Sequence, residues 1–325
     1  MTTPNPPQFS GASRAPRLVC VGMATIDHVF RLTAIPREPT KVRAKEYVRI
    51  SGGMAANAAV AIARLGGAVE YWGPVGRDAT GEDILAELAA ERVGTGGVVH
   101  VPQASAVSAI MVDRAGERLV CGYSDPAAFD VDAELPLAQL AGFDAVHVDC
   151  RWWKAGRNVL AAARRTGKRA VFDADLAPAE ALEALAPLAS HAIFSERGLA
   201  SVAAGDTPEA QLTDFADRHG PAPGSEGVLY GVTLGPRGYV WLSGGRLWRL
   251  GVPEVEVIDT LGAGDVFHGA YAYALACGMD EAACARFASA TAALKCTRFG
   301  GRSGTPSHAE VDALLTRWDE QPQPL

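Results

Sequence analysis

Apolar runs of strand length alternate with Ala/Leu-rich stretches of helical period along most of this chain. RLVCVGM (17–23), VEYWGPVG (69–76), AVHVDC (145–150), RAVFDAD (169–175), HAIFSE (191–196), GVLYGVTLG (227–235) and GYVWLSG (238–244) have the strand pattern. Between them AANAAVAIARLG (55–66), GEDILAELAAERVG (81–94), GRNVLAAARRTG (156–167) and EALEALAPLA (180–189) are helical by period and composition. The alternation predicts an α/β fold, a mostly parallel central sheet with helices on both faces. Residues 28–50 and 98–123 break the rhythm with β-type residues, turn signals and no helical period. A D-R-A-G turn between SAIMVD and ERLVCGY suggests a hairpin. Together they predict a small β-sheet inserted into the domain as a lid. The domain is expected over 17–315, between a loose Pro-rich tail at 1–16 and a flexible C-terminal tail at 316–325.

Composition narrows the function. A net charge of −7 over 325 residues, with no basic tract, argues against a nucleic-acid partner. No apolar run approaches the roughly 18 residues of a membrane span, and the opening residues lack the apolar core of a signal peptide. The six cysteines are scattered without a CxxC pair, which fits free thiols in a reducing cytoplasm better than disulfides or a zinc site. The expectation is a cytoplasmic protein with neither membrane nor nucleic acid as partner.

Chemistry concentrates in DTLGAGDVFHGA, residues 259–270. A strand ending at EVEVID, a turn TLGAG and a helix starting near Asp265 would gather unpaired backbone N–H groups at the positive end of a helix dipole, which attracts anions. Gly262 and Gly264 would let the backbone approach an oxyanion closely. Asp265 alone could be an N-cap. Beside an anion-binding turn it is also placed to take a proton from a hydroxyl during phosphoryl transfer.

DTLGAGD followed by an apolar helix resembles the C-terminal signature of the ribokinase/PfkB family of carbohydrate kinases, and SGGMAANAAVAIARLGG (51–67) resembles its N-terminal glycine motif. The resemblance spans roughly residues 17–307. It implies a ribokinase-like fold and ATP-dependent transfer to a sugar hydroxyl. Asp265 would be the base, and Gly262, Ala263 and Gly264 the anion hole. Asp27, Gly52, Gly53 and Asn57 would bind the sugar, although Asp27 could be a cap and the glycines a hinge. VTLGPRG resembles the stretch that meets ATP phosphates, implying Thr233, Gly235 and Gly238. Where the family often carries N-x-x-E near Mg²⁺, FSERG offers Ser195, Glu196 and Gly198. Ser195 is assigned to the nucleotide and Glu196 to Mg²⁺ through water. Asp259, with carbonyls near Leu261, Arg298 and Gly300, matches the monovalent-cation site (K⁺) of some members, or braces the turn. Members often dimerise through their lids, so a homodimer is implied.

Three residues bear on the acceptor. Arg151, in DCRWWKAG, directly follows a strand, and Lys41 and Arg43 lie in the lid segment. A strand-end Arg and a lid Lys could clamp an anionic group. As isolated surface charges they could equally be solvated. The stretches VDCRWW, FDAD, FSERGLA, DVFHGA and RFASATAALKCTRFGGRSGTP resemble the sulfofructose kinase branch, whose sulfonate-binding Lys and Arg would be Lys41 and Arg151. Gly122 stands where that branch has an Asn. The expectation is an anionic ketose, sulfofructose or a ketose 6-phosphate. The alternatives are a kinase for a neutral sugar or nucleoside, or a non-catalytic binding protein that kept the fold.

Overall fold

Leu18, Val19, Cys20 and Val21 are each wholly buried, so the strand Arg17–Val21 is covered on both faces. Alternate residues enter two different cores. Leu18 and Cys20 pack with the helices Met54–Arg64, Ala263–Ala276 and Glu281–Cys296. Val19 and Val21 pack with Trp153–Arg165, Ala179–Leu185 and Pro208–His219. This is the helix–sheet–helix sandwich that the periodicity predicted. The computed structural model describes residues 14–114, 116–131, 134–220 and 227–325. Of the expected N-terminal tail, residues 1–13 lie outside these, as does Ala115 of the D-R-A-G turn.

The central sheet runs, from one edge, Ala68–Trp72, Arg17–Val21, Ala145–Asp149, Arg169–Ala174, His191–Ser195 and Leu229–Thr233, all parallel. Tyr239–Ser243, Arg246–Leu250 and Gln323–Pro324 then continue it antiparallel. A separate four-stranded sheet stands beside it. That sheet orders Glu46–Gly52, Thr25–Arg31, Val107–Val112 and Arg118–Tyr123, the middle pair parallel and the outer pairs antiparallel.

Three expectations need correction. The run 69–76 is not one strand. It breaks at Gly73, where a Cβ would lie 2.0 Å from Tyr71 Oη and 2.3 Å from Gly22 O. Pro74–Gly76 then turns away to pair with Val99–Val101, which therefore does not join the small sheet. EVEVID forms no strand. Its apolar alternation buries no face, since Val257 and Ile258 are exposed. The C-terminal residues 316–325 are not a loose tail either. Arg286 stacks over Trp318, and Gln323–Pro324 adds the last strand of the sheet. Lys41 and Arg43, expected in the lid segment, sit on the exposed loop between two strands of the small sheet.

All six cysteines are free, four of them buried and Cys121 and Cys277 exposed. No helix among the described residues is long and apolar enough to cross a membrane.

Candidate active site

The parallel strands all end along one edge of the sheet, and the chemistry-bearing residues gather there. Such an edge is where open α/β sheets place ligands. Asp149, Asp173, Ser195 and Thr233 are at or next to the last residues of their strands, and Arg151 and Asp175 follow directly.

Two helices enter this edge from the C-terminal and N-terminal parts of the chain. The sequences AANAAVAIA and GAYAYALA are rich in small residues because the helices nearly touch. A Cβ on Gly269 would lie 2.6 Å from Ala58 O. This approach brings Asn57 to Asp265, and Asn57 Nδ2 donates to Asp265 Oδ2 at 2.7 Å. Burial, with the negative fields of Asp175, Asp149 and Asp27, pushes Asp265 up to about 6, while the Asn57 hydrogen bond opposes the rise. A carboxylate with a pKa near the working pH suits a general base.

Gly262 caps the helix Ala263–Ala276 in the left-handed region, at φ 74°. Val266 N–H makes the first intrahelical bond, to Gly262 O. Ala263 N–H, expected in the anion hole, instead turns back to Thr260 O at 3.2 Å. Helix geometry leaves the N–H groups of Gly264 and Asp265 as the forward-pointing donors. A Cβ on Gly264 would meet no protein atom within 4 Å. The space in front of it is therefore open to a ligand.

Beneath the turn, His268 Nδ1 is 2.7 Å from Gly264 O and 3.2 Å from Asp173 Oδ2, and its Nε2 is 3.2 Å from Ile193 O. Burial pushes Asp173 well above the usual carboxylate range and His268 down to about 4. Burial thus favours the uncharged form of each partner beneath Asp265.

Asp27, Ser108 and Gly122 lie in register on three neighbouring strands of the small sheet. Ser108 Oγ donates to Asp27 Oδ1 at 2.5 Å. Burial raises the Asp27 pKa, against the lowering effects of Ser108, Arg302 and His28. Gly52 must be glycine beside it, because a Cβ would sit 1.9 Å from Asp27 Oδ2. Gly53, at φ 94°, caps the Asn57 helix, and a Cβ there would lie 2.5 Å from Met23 O. Both glycines thus have packing reasons as well as a place beside the site. Asn57 Oδ1 and Arg302 Nη1 are buried without a hydrogen-bond partner among the described residues. Buried polar atoms left this way are what an arriving polar ligand satisfies.

Asp149, which the sequence did not single out, ties the edge together. It accepts from Met23 N at 2.8 Å, Ala55 N at 3.1 Å and Arg151 N at 2.9 Å. It thereby caps the Asn57 helix from a different strand. Arg151 Nη2 is 3.2 Å from Asp175 Oδ2, and its Nη1 donates to Leu176 O at 3.1 Å. Lys41 is exposed on its loop, and no described contact brings it to Arg151.

On the nucleotide side the local structure explains several residues by itself. Ser195 Oγ accepts from Gly198 N at 3.0 Å as a helix cap. Thr233 Oγ1 donates to Phe194 O at 3.3 Å. Gly238, at φ 91°, is required by packing, because a Cβ would be 2.0 Å from Leu250 O, whereas Gly235 at φ 57° faces open space. Glu196 pairs with Arg237 at 2.6 Å, both half-exposed. In this structure the Glu196 carboxylate, expected to meet Mg²⁺ through water, faces a cationic side chain instead. No cluster of three or more His, Cys, Asp or Glu placed to hold a metal exists among the described residues. Asp259 is buried and tied to backbone N–H groups and to Lys295.

Comparison with known proteins matches residues 15–308 to the pfkB family carbohydrate kinase model. The chain is 29% identical to the ribokinase of Bacillus subtilis over 92% of this chain and 100% of that protein. A crystal structure of a candidate ribokinase from Agrobacterium tumefaciens superposes with a TM-score of 0.89 at 38% identity, covering 94% of this chain and 98% of that one. A fructokinase with bound ATP from Xylella fastidiosa superposes with a TM-score of 0.76 at 26% identity, covering 93% and 98%.

Proposed function

This chain belongs to the pfkB family of carbohydrate kinases, ATP-dependent phosphotransferases, and on that premise we propose that its acceptor is an anionic ketose. The candidates are sulfofructose and a ketose 6-phosphate. The observation that carries the proposal is Arg151, a half-exposed guanidinium at the strand edge whose backbone is fixed by Asp149. Its partner Asp175 is also half-exposed, so an incoming sulfonate or phosphate competes for the planar fork at modest cost. Lys41, on a loop of the small sheet, supplies the second cation as that sheet closes over the sugar.

The acceptor sugar lies between Asp27 and Asp265, with Gly52, Gly53 and Asn57 lining its floor. Asp265 takes the proton of the reacting hydroxyl as the oxygen attacks the γ-phosphorus. The bond from that phosphorus to the bridging oxygen breaks, and ADP leaves with the bonding electron pair. The N–H groups of Gly264 and Asp265, at the helix N-terminus with Gly262, face the negative charge on the phosphoryl oxygens. Thr233, Gly235 and Gly238 border the nucleotide phosphates, with Ser195 on the neighbouring strand end.

Mg²⁺ shields the phosphate charge when bound. With Glu196 paired to Arg237, phosphate oxygens and water would supply most of its coordination, as Mg²⁺ commonly prefers. The exposed strand Arg118–Tyr123 gives the small sheet an open edge that suits pairing with a second copy, so a homodimer is included in the proposal.

The test is ADP release from Mg-ATP against sulfofructose, fructose 6-phosphate, tagatose 6-phosphate, fructose, ribose and adenosine, with Arg151→Ala alongside. Turnover confined to anionic ketoses and lost in the variant is expected. Turnover on a neutral sugar or nucleoside, unchanged in the variant, overturns the acceptor and leaves the kinase.

A further inference from the structure

Lys295 is wholly buried, on the last turn of the helix Glu281–Cys296. Its ammonium donates to Asp259 O at 2.7 Å and stands 3.7 Å from Asp259 Oδ2. Asp259 is the residue to which the family resemblance assigned a monovalent cation, so the fit of such an ion can be tested against its surroundings. Its Oδ1 accepts from Leu261 N at 2.8 Å, and its Oδ2 accepts from Gly300 N and Gly301 N, each at 3.0 Å. Three N–H donors and one ammonium therefore converge on this residue. A cation wants oxygen ligands pointing inward, and a second positive charge beside the ammonium would be repelled. The residues do not fit the ion.

The same contacts hold the anion-binding turn. Cys296 O, at the negative end of its helix, accepts from Ile258 N at 2.8 Å and Asp259 N at 3.1 Å. Lys295 fastens the carbonyl of the same residue, and the carboxylate of Asp259 fixes Leu261, directly before Gly262. We propose that Lys295 is a built-in cation at Asp259, a positioning residue that holds the Gly262–Asp265 turn and frees this enzyme from any monovalent ion. The inference rests on the phosphoryl-transfer reading but not on which sugar is the acceptor.

The experiment compares the wild type with Lys295→Ala, Lys295→Gln and Lys295→Arg in tetramethylammonium buffer, with and without KCl or NH₄Cl. Turnover of whichever acceptor is active and melting temperature are both followed. The wild type should change less than about twofold with either salt. Lys295→Ala should lose at least tenfold in kcat and regain much of it with K⁺ or NH₄⁺, its melting temperature rising with the same ions and not with tetramethylammonium. Lys295→Arg should stay active and ion-independent. The melting response needs no substrate, so an error in the acceptor leaves it intact. Wild-type stimulation of severalfold by K⁺ would overturn the proposal. So would a Lys295→Gln variant with wild-type kcat, or a Lys295→Ala variant whose losses neither ion reverses.

Discussion

Asn57 Nδ2 donates to Asp265 Oδ2 at 2.7 Å across 208 positions of sequence. The contact exists because the two helices are small-residue ridges that close to van der Waals distance at Gly269 and Ala58. It also sets a chemical quantity. Burial and neighbouring carboxylates push Asp265 up to about 6, and the amide pulls it down.

A base must be ionised to act, so kcat/KM should rise with pH through about 6 and level off above. Asn57→Leu removes the interaction that favours the ionised form, and its acid limb should move to higher pH. A pH profile of both proteins decides this. An unmoved limb would show that Asn57 holds the sugar without tuning the base.

Asp265→Asn should lower kcat by about 10²–10⁴-fold while ATP still binds. Its stability should change with the opposite sense. A carboxyl whose folded pKa is raised above its unfolded value costs stability as pH climbs through the interval between them, and the loss is complete above the folded value. The melting temperature of Asp265→Asn relative to wild type should therefore rise between about pH 4 and pH 6 and stay constant above. Melting curves across that range, with ADP binding as the control for an intact site, check both parts.

Much of this was legible in the chain because strands buried on both faces and Ala-rich helices have strong periodic signatures. Arg17–Val21 and Met54–Arg64 are cases in point, and so is the glycine turn before Asp265. What escaped was set by tertiary neighbours. Nothing local marks Asp149 as the cap of a helix that begins near residue 54, or Lys295 as the partner of a residue 36 positions earlier. Ser108 becomes visible only through its register with Asp27. EVEVID misled because alternation records a preference for a pleated surface, whereas here the N–H groups of Ile258 and Asp259 are taken by Cys296 O at a helix end. Pairs of strand-end carboxylates such as Asp173 and Asp175 were the one signal in the sequence that could have pointed to the rest of the edge.

Gly262 and Gly264 separate two reasons for glycine in one turn. Gly262→Ala must hold an L-residue at φ 74°, costing about 1–2 kcal/mol, although its nearest neighbour would be at an ordinary 3.5 Å. Gly264 is in the first turn of the helix with open space before it. Gly264→Ala should be neutral or stabilising by up to about 1 kcal/mol, yet lower kcat/KM for ATP at least tenfold by filling the phosphate space. Denaturant unfolding and steady-state kinetics on the two variants test the contrast. A fully active Gly264→Ala would remove that N–H from the anion hole.

Gly122 offers the most direct test of acceptor choice. It faces Ser108 across the strand pair, and Ser108 in turn holds Asp27, so position 122 is two strands from the carboxylate proposed to bind the sugar. A Cβ there would meet nothing within 4 Å. Asn can therefore be added without steric cost, and on an exposed strand its effect on stability should stay within about 0.5 kcal/mol. An amide donor to a charged group is worth about 1.5–3 kcal/mol, which corresponds to roughly 10- to 150-fold in affinity. Gly122→Asn should accordingly raise kcat/KM for a sulfonated or phosphorylated ketose by at least about tenfold and leave fructose and ribose unchanged. The gain should vanish in the double variant with Arg151→Ala, because both would act on the same anionic group. An equal gain on neutral sugars would mean that the amide reaches a hydroxyl, and the anion would then have to be recognised elsewhere or not at all.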